Sequence, residues 1–523
     1  MPSIPLDFWI SISEKLPWEG PIKMIYKNTM RELPCADPKV VLFSAISAVA
    51  HEVRGDIVGV LGNMAKVCVN LGIIGPTGSG KTTIPTLILS KLGIKRVGSR
   101  SSPEGIGRKL SEEGAVVHLC DEVQQIFRGR KKDEYVGALV DLWKSSFTKA
   151  PLTMARRSTK KTIDIPSSAK LTIIWTTTED DIDKVSEVID TALLRRFLII
   201  KTSAEVDPLT TGEETDWTEV LGVMKFIDSF HWRFYPEIDD MVVKFRDSII
   251  ELFEDKPLMK MILSEYGVRI ACVLALDRVV SDILKQAQKM FSKTVFVTAD
   301  GVWNQLVTAL QNLLISNQQK LADAFVKAVD DQTPVVYRSE SEKFTSDERI
   351  IDTSDLIRSD ILSRCTSSIS TLLSRYVSMS VYQKSPSVDV HAMVDELMSF
   401  MERNIWRSPT ITSESMNVID VRVPPEYTVL GMTVTALALV DTSDMVRWFG
   451  WDEDWLYFVK KCYELSERFG EFNIRTLARY LSRLNKYSVI KEFLERALDA
   501  GYLEITKCED AKDITKCWFR VVR

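Results

Sequence analysis

The segment Gly75-Pro-Thr-Gly-Ser-Gly-Lys-Thr82 has the residue types and spacing of a phosphate cradle. Gly75, Gly78 and Gly80 let the backbone curl until its N–H groups converge on an anion. The helix pattern that starts at Thr82 adds its positive N-terminal end. In such a loop Lys81 reaches the β- and γ-phosphates and Thr82 offers its hydroxyl to Mg²⁺, while Pro76, Thr77, Ser79 and Thr83 complete the cradle. The plain alternative is a glycine-rich turn with a chance lysine. An apolar strand pattern before it (67–74) and a helix pattern after it (82–92) argue for the cradle.

Later residues suit the same chemistry. Ala115-Val-Val-His-Leu-Cys-Asp-Glu122 reads as a strand ending in two acids. Asp121 would hold Mg²⁺ through its water shell and Glu122 would polarise the attacking water; acids that merely begin a helix are the other reading. Leu171-Thr-Ile-Ile-Trp-Thr-Thr-Thr178 ends another apolar strand in hydroxyls, which could touch a γ-phosphate or simply suit a strand. Asp190-Thr-Ala-Leu-Leu-Arg-Arg-Phe197 places Arg195 and Arg196 at a helix end before an apolar strand. An arginine there could stabilise transition-state charge in a neighbouring subunit, or the pair could be solvated at a helix C-terminus.

The elements that must position these residues follow from alternation. Strands are expected at 67–74, 94–98, 115–120, 170–176 and 197–202, with helices between them, so the core reads as α/β with a parallel sheet. Its last three strands are near-continuous apolar runs, as burial on both faces requires. The divisions expected are an N-terminal helical segment (1–62), the α/β core (63–205), a helical lid (206–330), a Ser/Thr-rich linker and helical region (331–450), and a final unit (451–523) of helices and a strand pair.

This series of motifs resembles the AAA+ ATPases over roughly Val67 to Asp330. The resemblance implies ATP and Mg²⁺ as ligands, a catalytic role for Lys81 and Glu122, and work as a ring, a hexamer in the commonest form. By position Thr178 takes the sensor-1 place, where the family commonly has Asn. Arg195 and Arg196 fall in the arginine-finger region, Arg196 being favoured. Tyr266-Gly-Val-Arg-Ile-Ala-Cys-Val-Leu-Ala-Leu276 looks like the sensor-2 helix, with Arg269 at the γ-phosphate. An arginine snorkelling from a packed helix is the alternative there.

Pro151 to Pro166 carries two β-prone arms around Arg156, Arg157, Lys160 and Lys161. In a ring such charges would line a channel and track a phosphate backbone; alone they would be a solvated basic loop. A hairpin here looks like the pre-sensor-1 hairpin of minichromosome-maintenance and viral superfamily 3 helicases. Arg128, Arg130, Lys131 and Lys132 form a second basic loop. The unit at 451–523 resembles a winged helix, a fold used for DNA and for protein docking, with Arg475 and Arg479 as candidate phosphate contacts. Residues 1–62 hold no zinc-ligand set and no room for an oligonucleotide-binding domain, which favours a virus- or plasmid-type helicase over a cellular one. The expectation is therefore ATP-driven translocation on single-stranded DNA in a central channel, during replication, with a primase or initiator as possible partner. An AAA+ initiator or loader, and a protein-remodelling ATPase, are the rivals.

Composition limits this reading. The 523 residues are 45% hydrophobic and 27% charged, as in ordinary globular proteins. A net charge of −5 makes any nucleic-acid contact a matter of local basic clusters. No apolar run reaches membrane-span length and residues 1–20 lack a signal-peptide layout, so no membrane and a cytoplasmic location are expected. Eight scattered cysteines form no C-x-x-C pair; Cys508 and Cys517 flank an expected hairpin and could oppose each other in a disulfide, but cytosolic thiols stay reduced as a rule.

Overall fold

Local signals start most of the helices. Asp37 accepts a hydrogen bond from the Lys39 amide and Pro38 occupies the first turn of a helix whose N-terminal groups would otherwise be unpaired. Ser102 followed by Pro103 does the same further on. The computed structural model describes residues 9–10, 12–13, 16, 18–60, 65–99, 101–127, 134–145, 152–155, 162–182, 185, 193, 195–202, 212–251, 256–291, 298–330, 406–415, 417–440, 453–481, 490–491, 493–494, 497–498, 503–508 and 516–521. They divide into two units, Met1–Ser443 and Asp444–Arg523.

The first unit begins with α1 (Pro21–Glu32), α2 (Pro38–Glu52), β1 (Arg54–Ile57), β2 (Ala65–Lys66) and β3 (Leu71–Ile74). It continues through α3 (Thr83–Lys91), β4 (Arg96–Gly98), α4 (Pro103–Glu113), β5 (Ala115–Cys120), α5 (Val123–Phe127) and α6 (Glu134–Ser145). Then come β6 (Leu152–Ala155), β7 (Thr162–Ile165), β8 (Lys170–Thr177) and β9 (Leu198–Lys201). The five strands expected for the core form one wholly parallel sheet in the order β4-β5-β8-β3-β9. The protein is thus α/β, with β3 and β8 buried along their whole length. The later strand β8 is inserted between the phosphate-loop strand β3 and the acid-bearing strand β5. This insertion decides which side chain meets the acids.

Residues 67–70 extend β3 less far than expected, because the chain there passes from one sheet to another. The buried Asn70 side chain takes over the pairing: its Oδ1 accepts from the Ile173 amide at 2.8 Å and its Nδ2 donates to the Arg196 carbonyl at 3.2 Å. One side chain ties β8 and β9 together beneath β3.

The region expected to be all helical contains more. After α7 (Thr218–Asp228) comes β10 (His231–Pro236), then α8 (Asp240–Ile250), α9 (Lys256–Met290) and α10 (Ala299–Asp330). Within the stretch read as linker and helix lie β11 (Thr410–Ser415), β12 (Val418–Val423) and α11 (Pro425–Val440). These strands build a second sheet, β11-β12-β10-β1-β2, with β1, β10 and β12 parallel and both edge strands antiparallel. Arg233 on β10 pairs bidentately with Asp420 on β12, at 2.6 and 2.8 Å.

Helix α11 is apolar nearly all round and buried, and it packs against α9. The approach is close: a Cβ on Gly431 would stand 2.2 Å from the Gly267 carbonyl oxygen. Asp277, on the same α9, caps α1 from outside, accepting from the Ile22 amide at 2.8 Å and the Trp18 indole at 2.7 Å. Among the described residues no helix is long and apolar enough to cross a membrane.

The second unit comprises α12 (Glu453–Phe469), β13 (Phe472–Asn473), α13 (Ile474–Tyr480), helical residues at 490–491, 493–494 and 497–498, and the hairpin β14 (Leu503–Cys508) and β15 (Cys517–Val521). Its antiparallel sheet has the order β13-β15-β14. Phe458, Leu465, Leu477, Leu494 and Phe519 lie in one core. Cys517 faces Cys508 across the ladder and is disulfide-bonded, contrary to the expectation of free thiols.

Candidate nucleotide site

The loop after β3 folds as its glycines require. Gly78 and Gly80 have φ of +86° and +72°, a region that disfavours any Cβ. Gly75 serves a different need: a Cβ there would lie 2.3 Å from the Thr202 methyl, so the loop can sit against the end of β9 only with glycine. The Gly75 amide donates to the Thr177 carbonyl and the Thr202 amide to the Ile74 carbonyl, which pins the loop base between β8 and β9. Lys81 is largely buried, its Nζ donating to the Pro76 carbonyl at 2.9 Å. Burial lowers the pKa of its ammonium, while Asp121 and Glu122 oppose that shift.

The expected metal residues converge. Thr82 Oγ1 donates to Asp121 Oδ1 at 2.6 Å, joining the start of α3 to the end of β5. A third oxygen lies between them. Thr176 Oγ1 donates to the same Asp121 oxygen at 3.0 Å, lies 3.3 Å from Thr82 Oγ1, and accepts from the Glu122 amide at 3.3 Å. Ser99, just past β4, donates to the Asp121 carbonyl at 3.2 Å. Three strand ends and the start of α3 therefore contribute to one cluster. Glu122 itself has φ of +49°, which bends the chain sharply after Asp121. The Glu122 carboxylate accepts a hydrogen bond from Gln125.

These donors fit Mg²⁺ bound with a nucleotide. The ion takes oxygen ligands, usually one or two protein oxygens completed by phosphates and water, and Thr82 and Asp121 supply that number. Among the described residues no three or more His, Cys, Asp and Glu are grouped so as to hold a metal ion. The Ser79 hydroxyl inside the loop is buried and without a hydrogen-bond partner, an orphan that a phosphate-bearing ligand could relieve.

Thr178 stands apart from this cluster. The strand ends at Thr177, and Thr178 precedes the short 3-10 turn Glu179–Asp181, its hydroxyl donating to Asp181 at 3.1 Å. Thr177 is likewise engaged with Gln124 at 2.9 Å. The hydroxyl at the acids is thus Thr176, two residues earlier than expected. A parallel register that sets Cys120 opposite Trp175 makes Thr176 the neighbour of Asp121. The order of the strands, which a single sequence does not display, was the missing signal.

Arg269 is also misplaced by the motif comparison. It is 2% exposed, and its guanidinium donates to the Lys66 carbonyl, before the N-terminal end of β3. Tyr266, one turn earlier on α9, reaches the Asn70 carbonyl at that same end. The phosphate loop leaves the opposite end of β3, so α9 does not bring Arg269 to the nucleotide. Two more buried cations lie at this end: Lys170 donates to the Ala50 and Val53 carbonyls, capping the end of α2, and Lys66 donates to the Ala169 carbonyl. Backbone carbonyls take up these buried cations.

Arg195 and Arg196 precede β9 at that far end as well. Arg196 Nε donates to the Lys144 carbonyl at 3.2 Å, and an Arg195 nitrogen lies 3.5 Å from Met261 Sδ. A four-residue strand spans about 13 Å, so neither arginine serves the chain's own phosphate loop. The arms β6 and β7 pair antiparallel, with Leu152 opposite Ile165 and Ala155 opposite Thr162. Arg156, Arg157, Lys160 and Lys161 between them lie outside the described residues, as do Arg128, Arg130, Lys131 and Lys132. In the second unit Arg475 and Arg479 are exposed on α13, four residues apart, while Ile474 and Leu477 face inward. Compared with known families and curated proteins, the chain matches no family model and no curated sequence.

Proposed function

We propose that this protein is an Mg²⁺-dependent ATPase of the AAA+ type that drives movement along DNA. The observation that carries the reading is the meeting of Lys81, Thr82, Asp121 and Thr176 at adjoining strand ends. Lys81 is placed to neutralise phosphate charge, and Thr82 and Asp121 to hold the metal. A Mg²⁺ ion held by Thr82 and Asp121 would supply positive charge to offset that of the phosphates. Glu122 would orient a water molecule and accept its proton, with Thr176 fixing the backbone turn that aims it.

The location of Arg195 and Arg196 away from the chain's own phosphate loop supports action on a neighbouring subunit, hence a ring, with a hexamer as the assembly to test. DNA as the track rests on the four basic residues joining β6 to β7, an arrangement that suits a channel. The test is phosphate release from ATP with and without single-stranded DNA. Lys81→Ala should abolish turnover, and Glu122→Gln should keep nucleotide binding but slow hydrolysis by about 100- to 10,000-fold. Replacing Arg156, Arg157, Lys160 and Lys161 together by Ala should remove DNA stimulation and leave DNA-free turnover. Turnover that ignores DNA in the unaltered chain would favour the remodelling or switch-type alternatives.

A further inference from the structure

The bend at Glu122 needs support from outside itself. A residue with a side chain stays at φ of +49° only where its surroundings over-determine it. The helix that follows, α5, has five residues, too few for its own hydrogen bonds to fix its direction. The Glu122 carboxylate therefore takes its aim from whatever grips the chain on either side of the bend. On one side Thr176 accepts from the Glu122 amide at 3.3 Å. On the other stands Gln124, two residues later and only 6% exposed.

Both ends of the Gln124 carboxamide are engaged. Its Nε2 donates to Asp181 Oδ2 at 3.0 Å, and its Oε1 accepts from the Thr177 hydroxyl at 2.9 Å. The partners fix this orientation, because a carboxylate only accepts and must face the NH₂ end. Thr177 is fully buried, and its backbone carbonyl accepts from the Gly75 amide at 3.2 Å, at the base of the phosphate loop. One residue of β8 thus holds the loop by its backbone and the acid-bearing turn by its side chain. Asp181 closes the 3-10 turn whose Glu179 pairs with Lys201 on β9 at 2.9 Å. The buried carboxamide joins α5, β8 and this turn at one point, and a buried amide is tolerated only when its polar ends are paired.

We propose that Gln124 is a positioning residue for ATP hydrolysis: its carboxamide, clamped between Thr177 and Asp181, holds the turn that aims Glu122 at the attacking water. The proposal rests on the ATPase reading above, in which Glu122 orients that water. A merely structural role would lower stability and leave the turnover of folded molecules unchanged. Loss of aim lowers turnover and spares nucleotide affinity, which the phosphate loop and Lys81 supply.

The test is a reciprocal exchange in the full chain, read by steady-state phosphate release, equilibrium binding of a fluorescent ATP analogue and urea melting. Gln124→Glu sets two carboxylates against each other and should slow turnover by about 10- to 150-fold, as loss of a hydrogen bond to a charged group implies. Affinity for the analogue should hold. Adding Asp181→Asn exchanges donor and acceptor and should restore most of the turnover, whereas Gln124→Leu should gain nothing from Asp181→Asn. Thr177→Val keeps the shape of the strand and opens the other half of the clamp, so it should show the same split between turnover and affinity; it carries the comparison if Gln124→Glu does not fold. Unchanged turnover per folded molecule, affinity falling in step with turnover, or a loss that Asp181→Asn leaves in place would each overturn the positioning role and leave the ATPase reading standing. An unaltered chain that releases no phosphate from ATP would overturn both.

Discussion

Replacing Thr176 by Val removes one hydroxyl and keeps a β-branched side chain of similar volume in a fully buried strand. Three interactions go with it: donation to Asp121 at 3.0 Å, acceptance from the Glu122 amide at 3.3 Å, and the contact with Thr82 at 3.3 Å. A hydrogen bond to a charged group contributes about 1.5–3 kcal/mol. If that loss falls on the transition state, turnover drops by about 10- to 150-fold. Nucleotide affinity should change much less, since the loop amides and Lys81 are untouched. Thr178→Val is the matched control, because its hydroxyl serves Asp181 and not the acids; its effect should stay within about twofold, below the worth of one neutral hydrogen bond. The assay is steady-state phosphate release beside equilibrium binding of a fluorescent nucleotide. Loss of turnover in Thr178→Val with normal turnover in Thr176→Val would refute the placement of the strand ends.

Arg269→Met tests the other end of β3. It should lower the urea midpoint, because a buried carbonyl loses its donor at a cost of about 1–3 kcal/mol, while turnover per folded molecule stays unchanged; a selective fall in turnover would return Arg269 to the nucleotide. Arg196→Ala should lose hydrolysis alone and regain part of it when mixed with Lys81→Ala subunits, since mixed interfaces pair an intact loop with an intact arginine; no recovery in confirmed assemblies would count against action between subunits. Burial pushes the Asp277 carboxyl up to about 7 from 3.8. Between these values the folded chain keeps a proton that the unfolded chain has released, so this group's contribution to stability falls as pH rises across that window. Asp277→Asn should make the stability profile flatter there in urea titrations at stepped pH, and an unchanged slope would show that other groups set it.

The candidate nucleotide site was legible as a cluster because its parts are local. A glycine needing positive φ, a lysine and a hydroxyl occur within eight consecutive residues, and the acids sit at the end of an apolar run. What failed was whatever depends on which strands and helices become neighbours. Thr176, Thr177 and Thr178 are identical in type, and only the insertion of β8 between β3 and β5 singles out Thr176. Arg269 lies on a helix pattern of the expected kind, yet the direction in which α9 crosses the sheet carries it to the wrong end.

The second sheet was lost for two different reasons. Strand β10 did carry a signal: Trp232 and Phe234 point inward between His231, Arg233 and Tyr235, the period of two that marks a half-buried strand. Six residues between helical stretches were too few to outweigh their surroundings. Helix α11 carried none, because a segment apolar on every side has no amphipathic period to detect. Its position is set by Gly431 meeting Gly267 on α9, and both glycines are needed for the backbones to approach. Such a contact joins residues far apart in the chain, so no window of local pattern contains it. On the same α9, Tyr266 and Arg269 donate to the Asn70 and Lys66 carbonyls before β3, at the end away from the phosphate loop. That pairing joins residues some two hundred positions apart, which local pattern cannot display either.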